Sequence, residues 1–157
     1  LEFWINMAKD VDFSVGNISY KGAVSIKGDV NSGFNRIAGG NIEIGGTVND
    51  AKIKSEGDIK IAGGFVGTGE GKVEARGDVT IGFARNQMII GNNIIFSREA
   101  IDCAIYAKET IVAKGGRLSI VGGVLTAGSL IEVDVLGSAI EVPTEVEVGI
   151  NYAASKV

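Results

Sequence analysis

Few side chains in this sequence can do chemistry, and the ones that can are carboxylates. Asp58 and Asp78 occupy equivalent places in two similar stretches, and Asp29 and Asn41 extend the set. Stacked carboxylates of this kind can hold a hard cation such as Ca²⁺ through oxygen ligands. Lys54, Lys60 and Arg76 lie beside them, however, and the glycine–aspartate nonapeptide of calcium-binding solenoids is absent. Aspartates that bond turn backbone fit the pattern better. A second candidate, Gly63-Gly64-Phe65-Val66-Gly67-Thr68-Gly69-Glu70-Gly71, has the glycine content of a phosphate loop. It lacks the Gly-Lys-Ser/Thr ending and a following helix, so a turn between strands is the expectation. Cys103, among Ala100, Ile101 and Ala104, has no histidine to activate it and reads as a small core filler. Glu109 falls at an inward position that glycine holds elsewhere; it needs either access to water or hydrogen bonds from Asn92 and Ser129, which align with it.

The chain has no histidine at all, which removes most acid–base, triad and zinc chemistry. Its formal charge of −4 is spread over interspersed signs, giving neither a basic patch for nucleic acid nor a polybasic stripe for lipid. No apolar run approaches a membrane span, and the first ten residues do not read as a signal peptide. With one cysteine, no internal disulfide can form, and a reducing compartment is the simpler expectation. No cofactor and no metal are expected. Twenty-four glycines beside a single proline indicate many tight turns.

Those turns punctuate a repeat. Aligned on one apolar position, the chain gives Ile18, Val30, Ile42, Ile59, Val79, Ile94, Ile111 and Ile131, at intervals of 12, 12, 17, 20, 15, 17 and 20 residues. The middle units alternate with period two. Ile53, Ser55, Gly57, Ile59 and Ile61 share one face, while Lys52, Lys54, Glu56, Asp58 and Lys60 share the other. Val73, Ala75, Gly77, Val79 and Ile81 repeat the inward set. Small residues recur at one inward position (Ser55, Ala75, Ala107, Ala127) and glycine at the next (Gly57, Gly77), as a coil bending sharply there requires. The expected fold is an all-β, single-stranded parallel β-helix of about seven coils over 17–150, roughly 35 Å long at the usual strand spacing. An antiparallel sandwich fits less well, because glycine pairs stand where polar two-residue hairpin turns would be. Residues 1–16, with Phe3, Trp4 and Phe13, read as an N-terminal cap or a vector-derived remnant. Residues 151–157 read as a tail leading to a further segment.

The units Gly28-Asp29-Val30, Gly57-Asp58-Ile59 and Gly77-Asp78-Val79 resemble the β-solenoid region of flagellar assembly protein A. So does the closing order Gly122-Gly123, Ala127-Gly128, Gly137-Ser138, Pro143-Thr144 and Val148-Gly149. The resemblance spans about residues 11 to 149. It implies a right-handed β-helix in a cytoplasmic protein, a non-catalytic scaffold contacting other proteins, among them flagellar or polar factors. It supplies no catalytic residues. The charged rows carrying Lys54, Lys60, Glu74, Asp58 and Asp78, together with Glu109, are the candidate structural or interaction residues. The alternatives are a self-polymerising solenoid of the bactofilin kind, which would be a homo-oligomer, and an enzyme on a β-helix. Hexapeptide acyltransferases need a histidine base and strict six-residue periods, and lyases need long cleft-building loops.

Overall fold

The computed structural model describes residues 4–7, 18–20, 22–32, 35–69, 71–113, 119–136 and 144–149. Within them the chain forms eighteen strands and no helix, joined in one sheet in which every pairing is parallel. The sheet winds about one axis through about six turns, close to the expected count. Three flat faces result. Lys52–Ser55, Lys72–Ala75, Gly123–Ala127 and Thr144–Val148 lie on face one. Ala23–Ile26, Ile42–Ile44 and Leu130–Val133 lie on face two. Val48–Asn49, Ala100–Ile101 and Ser119–Val121 lie on face three. Longer strands turn corners: Met88–Phe96 and Ala104–Ala113 run from face one onto face two, and Ile59–Val66 and Val79–Arg85 run from face two onto face three.

The expected alternation holds. Ile53, Ser55, Ile59, Ile61, Val73, Ala75, Val79 and Ile81 are buried, and Lys52, Lys54, Glu56, Asp58 and Lys60 are exposed. Like stacks on like. On face two Val24, Ile42, Ile59, Val79, Ile94, Ile111 and Ile131 form one column. Each fully buried isoleucine in it contributes roughly 2–3 kcal/mol by removal from water. Ala38, Ser55, Ala75, Gly91, Ala107 and Ala127 form the small column where face one ends.

The register before residue 40 differs from the sequence alignment. Ile18 pairs with Arg36 on face one, and Val30 bridges Val48 on face three. The true predecessor of Ile42 is Val24, eighteen residues back, itself opposite Ile5. The 12-residue intervals therefore compared positions on three different faces. Trp4–Met7 pairs in parallel with Ala23–Ile26; the side chains of Phe3, Trp4 and Phe13 and the tail 151–157 lie outside the described residues.

Glycine pairs do mark corners, but the reason for Gly57 and Gly77 is not inward crowding. The Oδ1 atom of Asn41 occupies the space a Cβ on Gly57 would need, and that of Asp58 the space above it on Gly77. Asp29 does the same to Gly46, and Asp50 to Gly67. In each case the residue after the glycine donates its amide to that side chain: Thr47 N to Asp29 at 2.6 Å, Asp58 N to Asn41 at 2.8 Å, Thr68 N to Asp50 at 2.9 Å, and Asp78 N to Asp58 at 2.8 Å. An Asx residue in one coil thus reads a Gly-X pair in the next. Where the chain leaves face three the corner uses left-handed backbone instead. Asp50, Asn86, Asp102 and Gly122 stack there with φ of 43°, 56°, 52° and 70°. These residue types tolerate that region with least strain.

Cys103 is 2% exposed within the core, its Sγ 3.3 Å from the Ile101 carbonyl oxygen. Burial raises its pKa from the ordinary 9.0 to about 11. A thiol so held is neutral and unreactive near neutrality, as a filler should be.

Two expectations follow. Gly77→Ala should cost about 1–2 kcal/mol by expelling the Asp58 carboxylate from its bond to the Asp78 amide. In an Asp58→Ala background the same substitution should cost much less, and chemical denaturation of the four proteins measures that coupling. Cys103 keeps its proton in the folded chain after the unfolded chain has lost it, so stability is complete below pH 9 and falls as pH rises towards about 11. Urea midpoints at pH 8 and 10.5 should show a fall that is smaller in Cys103→Ala.

Candidate interaction face

The carboxylates come first, since they carried the sequence argument. Asn41, Asp58 and Asp78 do stack, at the corner between faces one and two, and Asn93 and Thr110 continue the column. Asp78 accepts from the Asn93 backbone amide at 3.2 Å and its side-chain amide at 3.0 Å, and Thr110 Oγ1 donates to Asn93 Oδ1 at 2.7 Å. The ladder is a spine of hydrogen bonds between coils, each spanning 15 to 20 residues. Its carboxylates bond turn backbone, as expected, but the backbone belongs to the next coil. Asp29 is not part of it. That residue sits at the corner between faces two and three, bonded to Thr47. No three acidic or thiol groups converge on one point among the described residues.

Among its described residues the glycine-rich stretch forms a corner and turn in which several amides are taken. Gly63 N donates to the Gly46 carbonyl at 3.0 Å, Gly64 N to Thr47 Oγ1 at 3.4 Å, and Thr68 N to Asp50. Beside it Gln87, 3% exposed, donates from Nε2 to Asp50 Oδ1 at 2.9 Å, tying together coils two turns apart. Gly71 leaves room for its Oε1. Nothing in the sequence distinguishes Gln87 from a solvent-facing polar residue.

Glu109 faces water, not the interior. Chain position did place it correctly beside Ser129, whose amide donates to its carbonyl at 2.8 Å and whose hydroxyl donates to Oε2 at 3.1 Å. Asn92, its other expected partner, falls at a register shift between Gly91 and Asn93 and donates its amide to the Gly77 carbonyl. The extra residue that the shift absorbs turns Glu109 out of the corner.

The charged rows separate as well. Lys54 and Lys60 are on different faces. Lys54 lies opposite Glu74 on face one, Nζ to Oε2 at 3.7 Å, and Lys72 reaches the same carboxylate at 3.2 Å. Exposed pairs like these contribute about 0–1 kcal/mol each. Lys60 projects from face two into a shallow groove of about 230 Å³ shared with Glu43, Asp58, Asp78 and Ile95.

The feature that stands out is the part of face one beyond these pairs. Followed along the axis from Lys52 onward, past the Asn35–Ala38 strand that precedes it on the face, Lys52, Lys72, Met88, Ala104, Val124 and Glu145 form one outward column, and Lys54, Glu74, Ile90, Tyr106, Thr126 and Glu147 the other. The middle rungs are apolar although they point to solvent: Met88 is 36% exposed, and Ile90, Ala104, Tyr106 and Val124 are partly exposed. Contiguous exposed apolar surface is a feature of contact sites. A signal for it exists in the sequence. Lys72-Val73-Glu74 alternates, whereas its successor Met88-Ile89-Ile90 is apolar on both faces of the strand.

The geometry is that of a parallel β-solenoid whose ladder carboxylates, Asp58 and Asp78, are bonded between coils, and in which no helix among the described residues is long and apolar enough to cross a membrane. No curated protein and no solved structure matches the chain significantly. One family model does, that of the flagellar assembly protein A β-solenoid domain, over residues 5–157. Nearly the whole length is covered, and two of the three Gly-Asp units that carried the resemblance, Gly57-Asp58 and Gly77-Asp78, lie in the Asx ladder; the chain belongs to the flagellar assembly protein A β-solenoid family.

Proposed function

We propose that this domain is a non-catalytic scaffold in flagellar assembly, binding other proteins in the cytoplasm through face one. The observation that carries the reading is the apolar centre of that face, Met88, Ile90, Tyr106 and Val124, flanked along the axis by lysines on one side and glutamates on the other. The chemistry-bearing groups support it from the other direction. Asp58 and Asp78 accept backbone amides, Cys103 is buried and held protonated, and Glu109 bonds a serine in open solvent. Catalysis needs such groups converging on a shielded substrate site. Stacked coils, by contrast, hold rows of side chains at fixed spacing over a long flat surface, which suits recognition of an extended partner.

The test is genetic complementation in a flagellated host whose own copy is deleted. Met88→Glu with Ile90→Glu should abolish flagellation while leaving the protein level and its β-rich circular dichroism unchanged. Asp58→Asn, Glu109→Gln and Cys103→Ala should each complement fully. Loss of flagellation from Glu109→Gln in a normally folded protein would mean a chemical role, and full activity of the double glutamate variant would remove face one as the docking surface.

A further inference from the structure

Within the stack, strands are bridged on both edges; at its two ends, among the described residues, they are paired on one edge only. Trp4–Met7 on face two bonds Ala23–Ile26, and Ile18–Tyr20 on face one bonds Asn35–Ala38. At the opposite end Leu130–Val133 bonds Ala104–Ala113, Val135–Leu136 bonds Ser119–Val121, and Thr144–Val148 bonds Gly123–Ala127. An open edge of this kind is a template for a further strand. The end at Thr144–Val148 is also not finished as a cap, for a capping repeat carries a polar outer face. Here the inward columns run unchanged into the last rung: Ile131 stacks on Ile111, Val133 on Ala113, Leu136 on Ile120, Val146 on Leu125 and Val148 on Ala127. The residues beneath are buried, whereas Leu136, Val146 and Val148 are 47%, 40% and 47% exposed. These are core positions with a coil on one side of them only.

We infer that this end binds the Trp4 end of a second copy of this chain, the two rods stacked head to tail on one axis so that strands stay parallel and the columns continue. Phase names the occupant. The backbone visits faces one, two and three in turn, and Thr144–Val148 lies on face one, so the strand that follows it in the stack belongs on face two. Trp4–Met7, the described strand that opens the stack, lies on face two. Set over the end it meets the open edge of Leu130–Val133, and Ile18–Tyr20 then meets that of Thr144–Val148. The columns fix the register. Ile5, in line with Val24, Ile42 and Ile111, comes to Ile131, and Met7 to Val133. Ile18, in line with Ile53, Val73 and Leu125, comes to Val146, and Tyr20 to Val148. All four inward meetings are between apolar residues. On the outside Asn6 falls beside Glu132 and Ser19 beside Glu147, so no like charges are opposed. Two Thr144 ends brought together would pair antiparallel, unlike every pairing within the sheet.

This goes beyond the scaffold reading and does not depend on face one. A contact between unlike ends leaves every dimer with one open end of each kind, so growth does not stop at two copies. The joint is only one coil in cross-section, smaller than the roughly 800 Å² per partner of a standard stable interface, and each step should be weak. Made of apolar side chains and backbone hydrogen bonds, it should resist sodium chloride and be strengthened by sulfate. Sedimentation equilibrium from roughly 10 µM to 1 mM should show the average mass rising from 16.3 kDa past twice that value.

The decisive comparison uses two chains, each blocked at one end. Val146→Lys with Val148→Lys blocks one, and Ile5→Lys with Met7→Lys the other. Each alone should associate at least about 10-fold more weakly than the unmodified chain, because an ammonium group in an apolar joint has no partner. Their equimolar mixture should form dimer and stop there, since each supplies the single end that the other can use. Circular dichroism checks that each is folded; should the Ile5 and Met7 variant unfold, the Val146 and Val148 variant decides alone. Met88→Glu with Ile90→Glu should leave the growth unchanged, which separates this contact from face one. A chain monomeric up to about 1 mM overturns the inference and leaves the end to a segment outside the described residues or to another protein. Association that survives substitution of Val146 and Val148 overturns it as well, as does a mixture of two folded blocked chains that stays monomeric. None of these failures touches the scaffold reading, which stands or falls on flagellation in the Met88 and Ile90 variant.

Discussion

Everything in this molecule depends on one coil lying over the next in register. No coil has a core of its own; Ile59 is buried because Ile42 and Val79 lie above and below it in the same column. Apolar stacking supplies most of the free energy, but it is indifferent to small errors of register, since one isoleucine covers another equally well after a slip of two residues. The polar contacts at the corners are not indifferent. An aspartate in one coil fits only where the next coil offers a glycine followed by a free amide, and the pairs Asp29/Gly46, Asn41/Gly57, Asp50/Gly67 and Asp58/Gly77 each satisfy that condition. Hydrogen bonds of this geometry are worth about 1–3 kcal/mol when the acceptor is charged, less where water competes. Their larger effect is on specificity, because a slipped coil would place the carboxylate against a Cβ and leave the amide unmet.

This division of labour explains what could be read from the sequence. Alternation in Ile53–Ile61 and Val73–Ile81 dictates which side chains face inward, and it did so because each residue there has one partner environment, core or water. The coil length was legible from Ile42 onward, helped by the Gly-Asp pairs at Gly57 and Gly77, which mark the same corner of successive coils. Before that point the marker fails. Val30 follows a Gly-Asp pair as Ile59 and Val79 do, yet it starts face three, because Asp29 serves a different corner. The same motif solves the same local problem at two corners, so motif alone does not tell which. Glu109 shows the complementary limit: its neighbour in the stack was predictable, but its direction depended on a one-residue register shift that no period reveals. Asp50 and Asp102 look like ordinary turn residues until their positive φ values, stacked at one corner, show why alanine would not serve.

The outer surface is less constrained than the core, and departures from the expected polar composition there carry more meaning. A solenoid left alone would need only charged or small polar residues outside. On face one the rungs Lys52/Lys54 and Lys72/Glu74 meet that requirement and neutralise part of their charge by pairing with each other. The next rung does not. Met88 is 36% exposed and Ile90 only partly buried, so both leave apolar surface in water, which raises the risk of non-specific association.

A rigid stack also converts sequence into distance. Because each turn advances the backbone by one strand spacing regardless of whether it contains 15 or 20 residues, Lys52 and Glu145 are separated by five rungs although the intervening coils differ in length. Insertions at the corners are absorbed there, as the shift between Gly91 and Asn93 shows, and the faces stay flat. Recognition elements on a face can therefore hold their mutual spacing while the turns vary in length. That property, more than any single side chain, suits such a fold to organising other proteins, and it locates the constraint on function in the outward columns while the constraint on folding stays in the inward ones.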